Sequence, residues 1–275
     1  MTARYPGFHD FEHAGWEDAR VVEGYEREMA AVTRQSALEL LGAGAVGPGS
    51  RVLDVACGPG FLAAAAAERG ASAVGIDFSR AQVATARRLV PEVRFEVADA
   101  AQLPFGAASF DAVLCGFGML HLPDPLAAAR EARRVLVSGG WFAYTVWELP
   151  ERVVAMGAVM RALAAHGAPV VGLPEGPDFF ALSVPERSER LLADAGFREV
   201  QLASVAQVWR VATPEHVFDV FSRATVRMRA LLAAQPPERA TAIRAALRDE
   251  LAPYRSGDVY ELPMPALLAA GRAPG

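Results

Sequence analysis

The stretch Arg51-Val52-Leu53-Asp54-Val55-Ala56-Cys57-Gly58-Pro59-Gly60 constrains the fold more than any other. It reads as an apolar, β-branched run, then an acid, then a turn of small residues that opens onto an Ala-rich helical pattern over 61–69. A strand turning sharply into a helix through glycines is a device for nucleotide-type ligands. Glycine lets a ligand approach the backbone, and the helix start offers unpaired N–H groups. The alternation then repeats. Residues 73–77, 93–98, 110–115 and 141–147 read as strands. Residues 80–89 read as a helix capped by Ser79 and stopped by Pro91, and 125–136 as a helix ended by Gly139-Gly140. Such alternation predicts βαβ units in a mostly parallel, doubly wound α/β sheet. Its ligand belongs outside the carboxyl ends of the strands, at the switch point beside the first strand.

The flanks read differently. Residues 17–42 have helical spacing, with Val21, Tyr25, Met29, Val32 and Leu40 among charges. After Pro150 come a helix over 153–165, a Pro/Gly-rich loop over 167–177, a helix over 185–195 and a strand over 200–208. Two helices follow within 214–253, broken at Pro236-Pro237, and a last strand over 259–270. The simplest organisation is one domain over 1–275. Its ligand-binding core spans 45–148 and 183–208, and helical cover segments span 10–42, 151–182 and 212–255. The alternative is a separate C-terminal helical domain.

Composition narrows the function. The 275 residues are 52% hydrophobic, which is incompatible with bulk disorder. A net charge of −5 without any long Lys/Arg run argues against a nucleic-acid partner. Two cysteines, Cys57 and Cys115, make neither a disulfide framework nor a metal cluster, so a reducing cytoplasm is the expected location and no metal is expected. Residues 1–18 lack the apolar core of a signal peptide, and no apolar run is long enough to span a bilayer.

Four positions fall at the expected ligand edge. Besides Asp54 to Gly60, Asp77 ends the second strand, where an acid can accept both hydroxyls of a ribose. Asp99 follows the third strand, where it can take an adenine amino group. Cys115-Gly116-Phe117-Gly118-Met119-Leu120-His121 follows the fourth. The first turn differs from a dinucleotide fingerprint. Asp54 lies within the strand and the glycine spacing is too short for Gly-x-Gly-x-x-Gly. A pyrophosphate wants bare N–H groups, whereas a methionyl ammonium wants carboxylate and carbonyl acceptors.

These segments resemble the class I S-adenosylmethionine-dependent methyltransferases, of the group that includes the ubiquinone-biosynthesis type. The resemblance rests on Asp54-x-x-x-Gly58-x-Gly60, the acid Asp77, the Ala98-Asp99-Ala100-Ala101-Gln102-Leu103-Pro104-Phe105 segment, the Phe110-Asp111-Ala112-Val113 strand and Leu120-His121-Leu122-Pro123-Asp124-Pro125. The later Leu191-Leu192-Ala193-Asp194-Ala195-Gly196-Phe197 also matches. The likeness is dense over 50–148 and loose over 183–208. It implies a seven-stranded, mostly parallel Rossmann-like sheet with helical lid insertions, and S-adenosyl-L-methionine as cofactor. The glycine turn would hold its methionine part, Asp77 its ribose and Asp99 its adenine. Ala56 is a departure, since many members carry Gly there, but a methyl is tolerable in the family.

Around these, Ala56, Ala100, Cys115 and Gly116 belong to the expected cofactor wall. Phe78 either stacks on adenine or joins the core, and Gln82 lies one turn into the following helix. Tyr25 either closes over the cofactor or packs its helix against the sheet. His121, after strand four, is the candidate base. Its alternative role is to shape the pocket before Pro123. Trp16, Met119, Trp147, Met156 and Phe179 are candidates for the acceptor pocket. The expected reaction is in-line methyl transfer to O, N or C of a small, largely apolar metabolite, for which positioning alone supplies about 7–11 kcal/mol. The competing readings are a cyclisation or rearrangement on the same scaffold, or cofactor binding without catalysis. The expected partner is the small-molecule acceptor alone, with oligomeric state left open.

Overall fold

The computed structural model describes residues 5–169 and 172–275. The chain opens with α1 (Pro6–Glu17), α2 (Ala19–Gly24), α3 (Ala30–Thr33) and α4 (Ala37–Ala43). It then alternates through β1 (Arg51–Val55), α5 (Phe61–Glu68), β2 (Ser72–Asp77), α6 (Arg80–Leu89), β3 (Arg94–Val97), β4 (Phe110–Gly116), α7 (Pro125–Val135) and β5 (Leu136–Trp147). Then come α8 (Val154–His166), α9 (Pro185–Asp194), β6 (Arg198–Val205), β7 (Val208–Val211), α10 (Pro214–Phe221), α11 (Arg227–Ala233), α12 (Pro237–Leu251), β8 (Arg255–Ser256), β9 (Val259–Pro263) and β10 (Ala266–Arg272).

Seven strands form one sheet in the order β3-β2-β1-β4-β5-β10-β6. It is parallel except for β10, which runs antiparallel to both β5 and β6. The chain leaves β1 toward β2 and β3 on one side and returns to β4 and β5 on the other. Right-handed crossovers in opposite directions then place the intervening helices on opposite faces, which opens a crevice above β1 and β4. β1 is suited to that centre because Val52, Leu53, Asp54 and Val55 are all buried. On the β2 side, Phe95, Ala63, Val83 and Ala86 form a small separate core beneath α5 and α6.

Four details depart from the sequence reading. The helical run over 17–42 is not continuous. A five-residue π-helical turn, Tyr25–Met29, and a 3-10 turn, Arg34–Ser36, interrupt it, and α1 precedes it. The strands over 200–208 and 259–270 each divide between two sheets. The chain breaks at Ala206-Gln207 and again at Met264-Pro265, because β7, β9 and β8 form a separate three-stranded antiparallel sheet. The helix expected to end at Gly139-Gly140 stops at Val135, since β5 already begins at Leu136. The glycines fall inside that strand at an irregular register with β4, where Gly139 adopts φ +78°. Finally, 214–253 holds three helices, because the segment between Ser222 and Val226 also breaks the run.

The N-terminal run is tied to the small sheet by side chains acting as strand partners. Gln35 donates to the Val208 carbonyl at 2.9 Å and accepts from its N–H at 3.0 Å, and Gln207 donates to the Val32 carbonyl at 2.8 Å. Among the described residues no helix is long and apolar enough to cross a membrane.

Candidate active site

A cavity of about 360 Å³ opens at the carboxyl ends of the central strands, roofed by α1, α8, α10 and α11. Ala56, Gly58, Asp77, Phe78 and Gln82 form one part of its wall. Trp16, Tyr25, Gly116 and His121 form another, and Trp147, Met156, Phe179 and Phe180 a third. A smaller side cavity shares Tyr25, Thr33, Ala56, Gly58, Gly116 and Phe117 with it and adds Asp54, Cys57 and Arg34. The two adjoin through these shared residues and together make the groove, with Asp54 lining the smaller part and Asp77 and most of the apolar side chains the larger.

Local backbone geometry builds the acidic part. The turn after β1 needs the left-handed region three times within five residues, with φ +54° at Ala56, +52° at Gly58 and +85° at Gly60. The first is a conformation that glycine adopts freely and alanine adopts at a cost of about 1–2 kcal/mol. A Cβ on Gly118 would lie 2.5 Å from that of Ala56, so the opposite loop yields the room that the Ala56 methyl takes. A Cβ at Gly58 would meet nothing nearer than Gln82 Oε1 at 3.9 Å, so this glycine leaves open groove. A Cβ at Gly60 would meet the Phe95 ring at 2.6 Å, so its small size serves the packing of α5.

Asp77 accepts the N–H of Gly58 at 3.0 Å on one oxygen and that of Ser79 at 2.9 Å on the other. A carboxylate has about four lone-pair sites, so two remain for a ligand. Burial pushes its pKa up to about 6 against the pull of those two N–H groups. Asp54 accepts the N–H of Ala63 in the first turn of α5 at 3.0 Å, and burial pushes it up to about 8. Both acids therefore favour a ligand that brings hydrogen-bond donors or positive charge. Gln82 Oε1 is buried beside Gly58 without a partner among the described residues, a further acceptor for a donor.

A chain of ring contacts crosses the groove. Tyr25 meets Trp16 at 5.5 Å between centroids, Trp16 meets His121 at 5.3 Å, His121 meets Phe179 at 5.9 Å and Phe179 meets Phe180 at 5.0 Å. Phe117 packs on Trp147 at 4.3 Å. Tyr25 begins the π-helical turn and faces both cavities, with its hydroxyl 3.1 Å from that of Thr33. Wide turns of this kind recur at functional sites. His121 ends a short 3-10 turn after β4, and its Nδ1 lies 2.9 Å from Glu12 Oε2.

Of the residues singled out from sequence, the groove wall brings together Trp16, Tyr25, Asp54, Ala56, Gly58, Asp77, Phe78, Gln82, Gly116, His121, Trp147, Met156 and Phe179. Five lie outside it. Gly60 packs on Phe95. Asp99 is exposed and caps its own turn, accepting the Ala101 N–H at 2.8 Å. Ala100, Cys115 and Met119 are buried behind the wall, and burial lifts the Cys115 thiol to about 12, which leaves it inert as a nucleophile. Sequence reasoning placed Phe117 in the segment after the fourth strand without giving it a role, and missed Glu12, Arg34, Phe221 and Arg227. Glu12 carried a signal. Phe8, Glu12 and Trp16 recur every fourth residue on one face of α1, and all three are buried. An acid on that stripe marks a site.

Residues 53–144 match the family described as methyltransferase domain. The demethylmenaquinone methyltransferase of Beutenbergia cavernae is 33% identical over 181 residues, 62% of this chain and 74% of that protein. The chain belongs to the class I S-adenosylmethionine-dependent methyltransferases. Among solved structures, the YcgJ protein of a Bacillus species shares the fold with a TM-score of 0.56 at 19% identity, covering 87% of this chain and 98% of its own. Phosphoethanolamine N-methyltransferase 2 of Haemonchus contortus, in complex with S-adenosyl-L-methionine, aligns with a TM-score of 0.52 at 20% identity over 87% of this chain and 52% of its own.

The groove of this methyltransferase fits the cofactor chemically. The open cradle at Gly58, the orphaned Gln82 Oε1 and the two free acceptor positions of Asp77 suit a polyhydroxylated ligand. In the side cavity Arg34 offers a positive charge and Asp54 an acceptor that a ligand ammonium would ionise, as a zwitterionic amino acid requires.

Proposed function

We propose that this methyltransferase transfers a methyl group to a ring carbon or an oxygen of a small, largely apolar, aromatic acceptor. The observation that carries the reading is the chamber beyond His121. Its wall is built from Phe117, Trp147, Met156, Met160, Phe179, Phe180, Phe221, Met228 and Leu231. Thr225 and Arg227 are its polar exceptions on the α10–α11 side. Such a wall stabilises an apolar body and rejects a highly hydrated one. The relatives named for demethylmenaquinone support an acceptor of the quinol class, an oxygenated ring with an apolar tail.

S-adenosylmethionine, when bound, supplies a methyl group made electrophilic by the sulfonium. The chain's residues hold and orient. Asp77 and Gln82 take donors of the ribose, and Gly58 lets the ligand lie on the backbone. Asp54 takes the methionyl ammonium, with Arg34 beside its carboxylate. Phe117 and Trp147 fix the plane of the acceptor ring. His121 would take a proton from an acceptor hydroxyl, which makes the oxygenated ring the nucleophile toward that methyl group. A positioned base contributes about 10²–10⁴-fold. The ring chain from Tyr25 to Phe180 keeps water from the reacting atoms.

The test is mass analysis of products from the purified enzyme, the cofactor and a panel of quinols and phenols. The expected product gains one methyl group with one equivalent of S-adenosylhomocysteine released. A product isomeric with its substrate, with no demethylated cofactor, would overturn the reading. Methyl transfer that is unchanged in His121→Ala would remove the base role alone.

A further inference from the structure

Glu12 lines neither of the two cavities described above, yet it makes the one side-chain hydrogen bond that His121 has among the described residues. Its side chain is 3% exposed. One oxygen, Oε2, accepts both the Trp16 indole N–H at 3.1 Å and the His121 contact at 2.9 Å, and Oε1 is buried without a partner among the described residues. Its neighbours on that face of α1 are Phe8 and Trp16, so packing alone favours an apolar residue there. A buried carboxylate with one oxygen unsatisfied destabilises the fold, and such a group persists where it serves a partner.

We propose that Glu12 is a positioning residue for proton transfer by His121, an inference that rests on the base role given to His121 above. With Nδ1 held against a carboxylate, the neutral imidazole carries its proton there and presents Nε2 as the acceptor. When Nε2 takes the hydroxyl proton, the ring becomes a cation paired with Glu12, which stabilises the developing charge without Glu12 itself being protonated. Trp16 completes the arrangement. It donates to the same oxygen and packs edge-on against the His121 ring, which limits rotation.

The carboxylate arrives on a helix clamped to the cofactor edge. The Ser79 hydroxyl donates to the Trp16 carbonyl at 2.7 Å, and the Arg80 N–H donates to Glu17 at 2.7 Å. Both anchors lie within three residues of Asp77, so the pair Glu12–His121 forms only while α1 is seated over the strand-two turn.

Nitrogen-15 NMR of the full chain labelled at histidine reads the pair without any acceptor. At the pH of the turnover assay, His121 is expected with a protonated Nδ1 and an unprotonated Nε2. A ring protonated at Nε2 would overturn the proposal, whatever the acceptor proves to be. Glu12→Gln keeps shape and removes charge. It should lower kcat by between about tenfold and about 10⁴-fold, the upper figure being the loss on neutralising the orienting acid of a serine-hydrolase triad. KM for the acceptor and affinity for S-adenosylhomocysteine should stay unchanged. In a His121→Ala background the same substitution should change nothing further. Full kcat in Glu12→Gln, or an equal additional loss without the histidine, would show that Glu12 does not act through it.

Discussion

The carboxylate of Asp77 accepts the backbone N–H of Gly58 at 3.0 Å, joining the turn after β1 to the end of β2. One acid thus sets the shape of the cradle and offers the acceptor positions within it. Burial raises its pKa to about 6, above the ordinary carboxylate value. Below that pH the free protein carries a protonated Asp77 with fewer acceptor positions for a diol. Affinity for S-adenosylhomocysteine, measured by calorimetry, should therefore fall as pH drops through about 6. Asp77→Ala should weaken binding by at least about tenfold, or 1.4 kcal/mol, and should remove that pH dependence. Unchanged affinity would contradict the ribose assignment.

Asp54 should set stability against binding. Its pKa is raised to about 8 in the fold, so between its ordinary value and pH 8 the folded state binds a proton that the unfolded chain has released. Stability then falls as pH rises through this range. Asp54→Asn keeps an oxygen for the Ala63 N–H and removes the titration. Thermal unfolding of the ligand-free protein at pH 8 should show a gain on the order of a few kcal/mol, vanishing toward pH 4. The same variant should lose cofactor affinity, since the ammonium loses its counter-charge.

The two glycines of the first turn should separate. Gly60→Ala drives a methyl into Phe95 at a left-handed φ, so it should lower unfolding stability by about 1–3 kcal/mol. Gly58→Ala meets open groove. Its fold should change by the backbone strain alone, about 1–2 kcal/mol, while cofactor affinity drops sharply. Equal effects on both properties in both variants would count against the division.

Ser79 caps α6 through the Gln82 N–H at 3.0 Å and holds α1 through the Trp16 carbonyl. Ser79→Ala removes both bonds. The loss should be about 2 kcal/mol, one for a cap and one for a buried hydrogen bond. Proteolysis should then cut first within α1, and cofactor dissociation in stopped flow should quicken.

What was legible in the sequence was whatever local chemistry dictates. Asp54, Gly58 and Asp77 sit at strand ends whose apolar runs and turn residues leave little choice, and the order of β and α signals fixes the switch point. Gly60 shows the limit. Gly60 is required by Phe95, thirty-five positions away, and no turn pattern reports a ring on a neighbouring strand. Glu12 lies on a legible apolar stripe of α1, but its partner lies 109 positions on, so the stripe shows burial without the pairing. The division at 259–270 was written in Pro263-Met264-Pro265, because proline cannot donate to a central ladder. It was hidden by the apolar run continuing on both sides.

The placement of β10 has a consequence for the order of events during synthesis. Residues 266–272 occupy an interior slot, paired on one side with β5 and on the other with β6. Without them β5 has an unpaired edge and β6 pairs with no strand of the seven-stranded sheet. Such edges are templates for pairing with other chains. β10 therefore enters between two segments that precede it in the chain, and the β5 edge is open to pairing with another chain until it does.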